Sequence, residues 1–419
     1  MAKFIIKGGK KLKGTVKISG NKNAVLPLMA ATLLTNEECV LENVPKIGDV
    51  LVLGEIIKEL GAKIEGLGTN RLIINTRGVN KYHLNPNLVQ KLRASILLLG
   101  PLLVRFGKAR LKHPGGCMVG RRAVGTHFDA LAALGAKTIT SEEDYESEVK
   151  NPHPANIFLD EVSVTATENA MMMASLIPGT TVIDDAACEP HVEDLANFLN
   201  LMGAKIRGAG TNRIVIEGAR KLRGANFKIG PDYIDAGTFA IVGAVTKSKI
   251  SILGVKEKDL PMIILYLKRM GVRCEVKGNV LTVFPSVLTA PKGKIQTRPW
   301  PGFPTDLMSP FIVLATQAKG TTLCHDWMYE SRMFFVDKLI TMGANITLCD
   351  PHRVLVSGPT KLRGKILESP DIRAGMALVV AALCAEGESV ISNVEIIQRG
   401  YEEVEARLKL LGADIRKVE

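Results

Sequence analysis

The chain has 419 residues, 46% hydrophobic and 23% charged, with 39 Gly and 20 Pro. That is enough for two or three domains with cores of their own, and the composition excludes disordered, collagen-like and coiled-coil chains. The charge balance, 54 − 42 = +12, admits nucleic acid, an anionic membrane or small anionic substrates as partners; aromatics at 5% are too few for base-stacking platforms and there is no basic tail, so phosphorylated small molecules are expected and nucleic acid is not.

From the first residue, Met1-Ala2-Lys3-Phe4-Ile5-Ile6-Lys7 offers no signal-peptide core, and the most apolar stretch, Ala94 to Val104, is about half a bilayer span and contains Gly100 and Pro101. A cytoplasmic protein without membrane insertion is expected. A short signature then recurs along the chain: Leu60-Gly61-Ala62-Lys63, Leu134-Gly135-Ala136-Lys137, Met202-Gly203-Ala204-Lys205, Met270-Gly271-Val272-Arg273, Met342-Gly343-Ala344-Asn345 and Leu411-Gly412-Ala413-Asp414. Six units of about 70 residues follow. Before each signature lies an amphipathic stretch, such as His191 to Met202 with apolar Val192, Leu195, Ala196, Phe198, Leu199 and Met202, ended by the Gly of a helix C-terminus.

Earlier in each unit lies a second helical stretch that is apolar nearly all round and so must be buried on every side: Ala24 to Leu34, Ala94 to Val104, Ala170 to Ile177, Thr238 to Val245, Leu307 to Ala315 and Ala374 to Cys384. Short β-branched runs such as Thr180-Thr181-Val182-Ile183 and Arg213-Ile214-Val215-Ile216 read as the strands between them. Six βαβαββ units, each with one buried helix, build most simply into an α/β protein of two globular domains of three units, with the ligand site in the cleft between them. The alternative, a solenoid, gives no reason for one helix of every unit to be apolar all round.

The starts of the buried helices carry residues that apolar segments do not need: Lys22 and Asn23; Lys91 and Arg93; Thr165, Thr167 and Glu168; Asp232 and Asp235; Asp306; Asp371 and Arg373. Asp and Thr there are explained equally by capping. A cation is not, because it opposes the helix dipole, so Lys22, Arg93 and Arg373 read as anion-binding groups. The loop His113-Pro114-Gly115-Gly116-Cys117-Met118-Val119-Gly120-Arg121-Arg122 sets one thiol among backbone-permissive residues beside two arginines, the setting of a reactive cysteine able to act as an acid. The other six cysteines (39, 188, 274, 324, 349 and 384) fall in predicted elements or at their edges, where a buried inert thiol is the default. Pro304-Thr305-Asp306 is a turn whose Asp is a cap or a base, and Glu330-Ser331-Arg332 and Gln398-Arg399-Gly400-Tyr401 each offer an Arg as a phosphate or carboxylate clamp or as a solvated side chain. No metal-ligand spacing, Walker loop or dinucleotide fingerprint occurs, so no metal, ATP or NAD cofactor is expected.

Ser19-Gly20-Asn21-Lys22-Asn23-Ala24, Leu92-Arg93-Ala94-Ser95, Pro114-Gly115-Gly116-Cys117 with Gly120 and Arg122, Phe303-Pro304-Thr305-Asp306, Asp371-Ile372-Arg373-Ala374 and Arg399-Gly400-Tyr401-Glu402 together resemble the UDP-N-acetylglucosamine enolpyruvyl transferase family over nearly the full length. The resemblance implies two inverse α/β domains of three repeats, here residues 22–229 with the Cys117 loop and residues 1–21 plus 230–419. It also implies a metal-free transfer of the enolpyruvyl group of phosphoenolpyruvate to the 3-hydroxyl of UDP-N-acetylglucosamine with release of phosphate. That reaction is the first committed step of peptidoglycan synthesis, and so serves cell-wall biogenesis, cell shape and division.

By matching position, the resemblance gives Lys22, Arg122 and Arg399 the phosphate of phosphoenolpyruvate and Arg332 with Arg373 its carboxylate. It gives Asp306 the sugar hydroxyl as base, Asn23 the sugar, and Arg93 and Ser163 the diphosphate. Cys117 would be the acid, and Asp371 would assist proton transfer or stabilise charge on the central carbon. The chain departs from the common family form at Ala123, Gly125, Glu161 and Thr165, and in Cys188-Glu189-Pro190-His191 and Ile397-Gln398. Two alternatives share the fold: 5-enolpyruvylshikimate-3-phosphate synthase, whose Lys-Ser segment is replaced here by Lys22-Asn23, and a non-catalytic sugar-nucleotide-binding paralogue.

Overall fold

A computed structural model describes residues 2–115 and 124–419; Cys117, Arg122 and Ala123 lie outside the described residues. The architecture is mixed α/β. The six repeats of the sequence become six small sheets, five of four strands and one of three among the described residues. In each repeat the signature glycine follows an amphipathic helix and takes the left-handed conformation: φ is 113° at Gly61, 97° at Gly135, 115° at Gly203, 79° at Gly271, 101° at Gly343 and 91° at Gly412. Only Gly adopts this conformation without strain, and it turns the chain off the helix into the next strand. Gly61 and Gly271 are doubly required, because a Cβ at either would come within 2.4 Å of a backbone oxygen.

The strands alternate as half-buried strands should. In the antiparallel pair Gly179–Asp184 with Arg213–Gly218, Ile183 faces Ile214 and both are buried. The chain divides into two compact units, one built from Met1–Ser19 with Pro231–Glu419, the other drawn from the stretch Gly20–Gly230. In the first, strand Lys3–Lys7 lies between Glu388–Ser392 and Asp414–Val418, and Lys13–Lys17 pairs in parallel with Lys249–Leu253. In the second, Asn226–Lys228 pairs in parallel with Glu38–Glu42, joining the end of that stretch to its beginning. Each unit has its own apolar core, and no helix among the described residues is long and apolar enough to cross a membrane.

The helices predicted to be buried all round are found: Lys22–Ala31, Leu99–Phe106, Val164–Ala174, Tyr233–Val245, Met308–Thr316 and Ile372–Cys384. Every residue of Tyr233–Val245 and of Met308–Thr316 is buried. Three expectations need correction. The stretch Ala94 to Val104 is not one α-helix but a 3-10 segment, Arg93–Leu98, followed by the helix Leu99–Phe106; Pro101 has no N–H to offer the Leu97 carbonyl, and the Gly100 N–H is taken by Asn169 Oδ1 at 2.9 Å. The helix expected at Ala170 starts at Val164, because Ser163 caps it and the polar Thr167, Glu168 and Asn169 are buried within it. Among the six cysteines taken as inert, Cys39, Cys324 and Cys384 fit: burial pushes their thiols up to about 11, about 12 and about 12. Cys349, on strand Asn345–Asp350, is exposed, since that strand lies at the edge of its sheet with one face toward solvent.

Candidate active site

In the unit within Gly20–Gly230, Asn21 caps the helix Lys22–Ala31 by accepting the Asn23 N–H at 2.8 Å, which fixes the direction in which Lys22 and Asn23 leave the helix start. A cation there opposes the dipole, and the structure shows what offsets it: Lys22 Nζ lies 2.9 Å from Asp49 Oδ2, with side-chain exposures of 12% and 5%. Asp49 belongs to the first turn of the amphipathic helix Gly48–Glu59. Nothing in its local sequence marks it out from an ordinary helix-start acid.

A second group in this unit gathers around Arg93, the first residue of the 3-10 segment. His127 is buried, and burial first and the Arg93 charge second lower its pKa from 6.5 to about 3. Asn169 orients the ring. Its Oδ1 accepts from Gly100, so its Nδ2 faces the Ile96 carbonyl at 2.9 Å and His127 Nδ1 at 3.0 Å. An amide NH₂ only donates, so Nδ1 accepts and Nε2–H donates to Thr165 Oγ1 at 2.9 Å. Thr165 stands two residues beyond Ser163, whose hydroxyl accepts the Ala166 N–H at 3.4 Å as the N-cap of Val164–Ala174. Arg93, His127, Thr165 and Ser163 therefore form one neighbourhood, and His127 and Asn169 are members that sequence reading missed.

His127 has a measurable consequence. Its folded pKa lies below the unfolded value, so the unfolded chain binds the proton more readily and stability falls as pH drops below about 6.5, by up to about 1.4 kcal/mol per pH unit. His127→Gln should lose less stability than the parent protein between pH 6.5 and 5, by roughly 2 kcal/mol. Urea unfolding at the two pH values checks this, and parallel losses in both proteins would contradict it.

The unit that contains Pro231–Glu419 gathers three expected residues at one point. Asp306, in the 3-10 turn Thr305–Leu307, accepts from Arg332 Nη2 through Oδ1 at 3.3 Å and from Arg373 Nη2 through Oδ2 at 2.7 Å. The N-cap residues of this turn and of the helix after it, Pro304 and Leu307, make no side-chain cap, and both carboxylate oxygens of Asp306 are engaged by guanidiniums. The arginines are almost wholly buried, at 2% and 5% side-chain exposure, while Asp306 is 26% exposed and forms the accessible part of the cluster. Burial works against both guanidinium charges, yet both stay above the usual range: Asp306, Asp371 and Asp326 outweigh burial at Arg332, and Asp306, Tyr401 and Asp232 do so at Arg373. Arg332 Nε and Arg373 Nη1 are buried donors with no hydrogen-bond acceptor among the described residues.

Asp371 is the N-cap of Ile372–Cys384, its Oδ1 accepting from Arg373 N at 2.8 Å and Ala374 N at 3.0 Å; the cap reading of this residue accounts for its geometry. Tyr401 lies under Arg373, the guanidinium carbon 5.0 Å from the ring centroid, and its hydroxyl is 3.1 Å from Thr238 Oγ1. Arg399 is half-buried in the turn after the short helix Val394–Ile397, its N–H donating to Ile396 O at 3.2 Å.

Comparison with known proteins gives this arrangement a family. The profile of EPSP synthase (3-phosphoshikimate 1-carboxyvinyltransferase) matches residues 6–408. The UDP-N-acetylglucosamine 1-carboxyvinyltransferase of Treponema denticola is 48% identical over 422 residues, covering 99% of both chains. That of Bradyrhizobium diazoefficiens is 48% identical over 423 residues, covering 99% of this chain and 98% of its own. The chain belongs to the carboxyvinyltransferase family. It is a transferase, and the fold agrees with solved structures of the family: the enolpyruvyl transferase NikO from Streptomyces tendae superimposes with a TM-score of 0.88 at 26% identity, covering 100% of this chain and 99% of its own. An EPSP synthase from Acinetobacter baumannii superimposes at 0.75 with 19% identity over the whole of both chains, which shows the shared fold alone.

Proposed function

We propose that the protein transfers the enolpyruvyl group of phosphoenolpyruvate to the 3-hydroxyl of UDP-N-acetylglucosamine and releases phosphate, as the first committed step of peptidoglycan synthesis in the cytoplasm. The observation that carries this reading is full-length identity near one half to transferases named for that sugar nucleotide, borne by a chain whose Asp306 sits between two buried guanidiniums. Arg332 and Arg373 take the substrate carboxylate, for which planar guanidinium forks are matched. Lys22, Arg122 and Arg399 take the phosphate, Asn23 the sugar, and Arg93 and Ser163 the diphosphate. Asp306 accepts the proton of the attacking hydroxyl and Cys117 supplies a proton to the methylene carbon of phosphoenolpyruvate; the adduct then loses a proton from that carbon together with phosphate, which restores the double bond. Asp371 contributes a negative charge near the carbon that becomes cationic, in addition to its cap.

The ion pairs add a step. Asp306 and the substrate carboxylate compete for the same guanidinium donors, so phosphoenolpyruvate seated on Arg332 and Arg373 displaces Asp306 and frees it for the sugar hydroxyl. Phosphate release from phosphoenolpyruvate, measured with UDP-N-acetylglucosamine, other nucleotide sugars and shikimate 3-phosphate in turn, tests the assignment. Release with UDP-N-acetylglucosamine, unaffected by chelator, is the expected result. Release only with shikimate 3-phosphate would move the protein to the EPSP synthase reaction, and release with no acceptor would leave a sugar-nucleotide binder.

A further inference from the structure

Asp326 lies 20 residues after Asp306, beyond the helix Met308–Thr316 and the strand Gly320–His325, and four residues before the Glu330-Ser331-Arg332 motif, and it is fully buried. Buried carboxylates are retained where several donors converge on them, and here the donors come from three separate segments. Thr297, just after strand Ile295–Gln296, donates its hydroxyl to Oδ1 at 3.2 Å, and the Met328 N–H donates to the same oxygen at 3.0 Å. The Thr305 hydroxyl donates to Oδ2. Arg332 Nε, buried and without a hydrogen-bond acceptor, lies 3.9 Å from Oδ2. The backbone of Asp326 is fixed in turn: its N–H donates to His352 O at 2.8 Å, and its carbonyl is 2.8 Å from His352 Nδ1.

One carboxylate thus ties down the residue preceding Asp306 in the chain and faces the guanidinium that binds Asp306 from the other side. We propose that Asp326 is a positioning residue for the reaction proposed above: through Thr305 it sets the direction of the Asp306 carboxylate, and through its charge it orients Arg332. It touches no substrate itself. The inference rests on that functional reading for its kinetic consequences and on the geometry alone for its structural ones, so the two can be tested apart.

Two substitutions separate the two arms. Asp326→Asn keeps the shape and the acceptor facing Thr297 and Met328, but presents an NH₂ donor in place of a carboxylate oxygen to Thr305 and Arg332. Thr305→Val removes only the link to the turn. With phosphoenolpyruvate and UDP-N-acetylglucosamine as substrates, Thr305→Val is expected to lower kcat about tenfold with KM for phosphoenolpyruvate within twofold of the parent value, because Arg332 is untouched. Asp326→Asn is expected to lower kcat by a similar factor and also raise KM for phosphoenolpyruvate about tenfold; Asp326→Glu, which restores the charge, should recover most of the KM. A merely structural Asp326 would lower the melting temperature in both variants and leave this split unseen.

Hydrogen exchange of the peptides covering Thr305–Leu307 and residues 327–332 supplies the structural arm. Faster exchange of the first peptide in both variants, and of the second in Asp326→Asn, is expected. Folded variants with parental kcat, KM and exchange overturn the proposal. A parent protein that turns over neither substrate counts against the functional reading instead, and unchanged exchange then still overturns the positioning role.

Discussion

Asp306→Asn is expected to lower kcat about a thousandfold and at the same time to tighten the binding of phosphoenolpyruvate about tenfold, a gain of about 1.4 kcal/mol. The first effect is the ordinary loss of a general base, the role proposed above for Asp306. The second comes from the ion pairs: Asp306 occupies donors of Arg332 and Arg373 at 3.3 and 2.7 Å, and a neutral amide competes with an incoming carboxylate far less well than a carboxylate does. A group that only helped to bind the substrate would lose affinity when neutralised, so the two effects have opposite signs under the competing accounts. Calorimetric titration of phosphoenolpyruvate into the parent and the variant decides between them. Equal or weaker binding by Asp306→Asn would show that the carboxylate seat is elsewhere.

The second large effect concerns stability. Arg407 Nη1 lies 2.5 Å from Asp235 Oδ2, with side-chain exposures of 10% and 2%, and its guanidinium carbon is 4.7 Å from the centroid of the Phe239 ring. Asp235 belongs to the first turn of the wholly buried helix Tyr233–Val245 and has its second oxygen, Oδ1, buried without a hydrogen bond. Removing Arg407 leaves that buried charge with only the long hydrogen bonds from the Ser19 N–H and hydroxyl to Oδ2, each 3.5 Å, among the described residues. Arg407→Ala should therefore cost about 3–5 kcal/mol, whereas the double replacement Asp235→Asn with Arg407→Met, which removes both charges and keeps the volume, should cost much less. Urea unfolding of the two variants measures the difference. A single variant no less stable than the double would mean that the charge is relieved by a partner other than Arg407.

Much of the fold is legible in the sequence because it rests on local rules. A glycine that must take positive φ after an amphipathic helix is visible as a Gly after an apolar period, and six such glycines give six repeats. A helix apolar on all faces can only be buried, and Tyr233–Val245 and Met308–Thr316 are. The exceptions are also local in origin, since Pro101 breaks its helix by lacking an N–H, and Ser163 starts a helix six residues before the apolar run begins. Lys22, Arg93, Asp306 and Arg373 were visible as charges at the starts of buried helices, where the apolar pattern has no use for them, and Arg332 as an arginine that reads equally as a clamp or a solvated side chain.

Their partners were not visible. Asp49 looks like any acid in a first helical turn, and only folding brings it to Lys22 from the next element. His127 sits in an amphipathic stretch where a polar residue is unremarked, and Asn169 lies just before the expected helix start at Ala170; burial beside Arg93 makes the histidine neutral and the hydrogen bonds fix its tautomer. Asp326 stands 20 residues beyond Asp306 in the chain and carries no motif. The sequence by itself determined which groups carry charge, where the helices end and that the architecture repeats six times, because these follow from side-chain chemistry and backbone sterics within one turn or strand. Tertiary structure alone decided that Asp306 is an ion-paired carboxylate, and that Arg332 and Arg373 are buried around it. Pairing energy between charges depends on separation and on exclusion of water, and neither is set until segments distant in the chain are packed together.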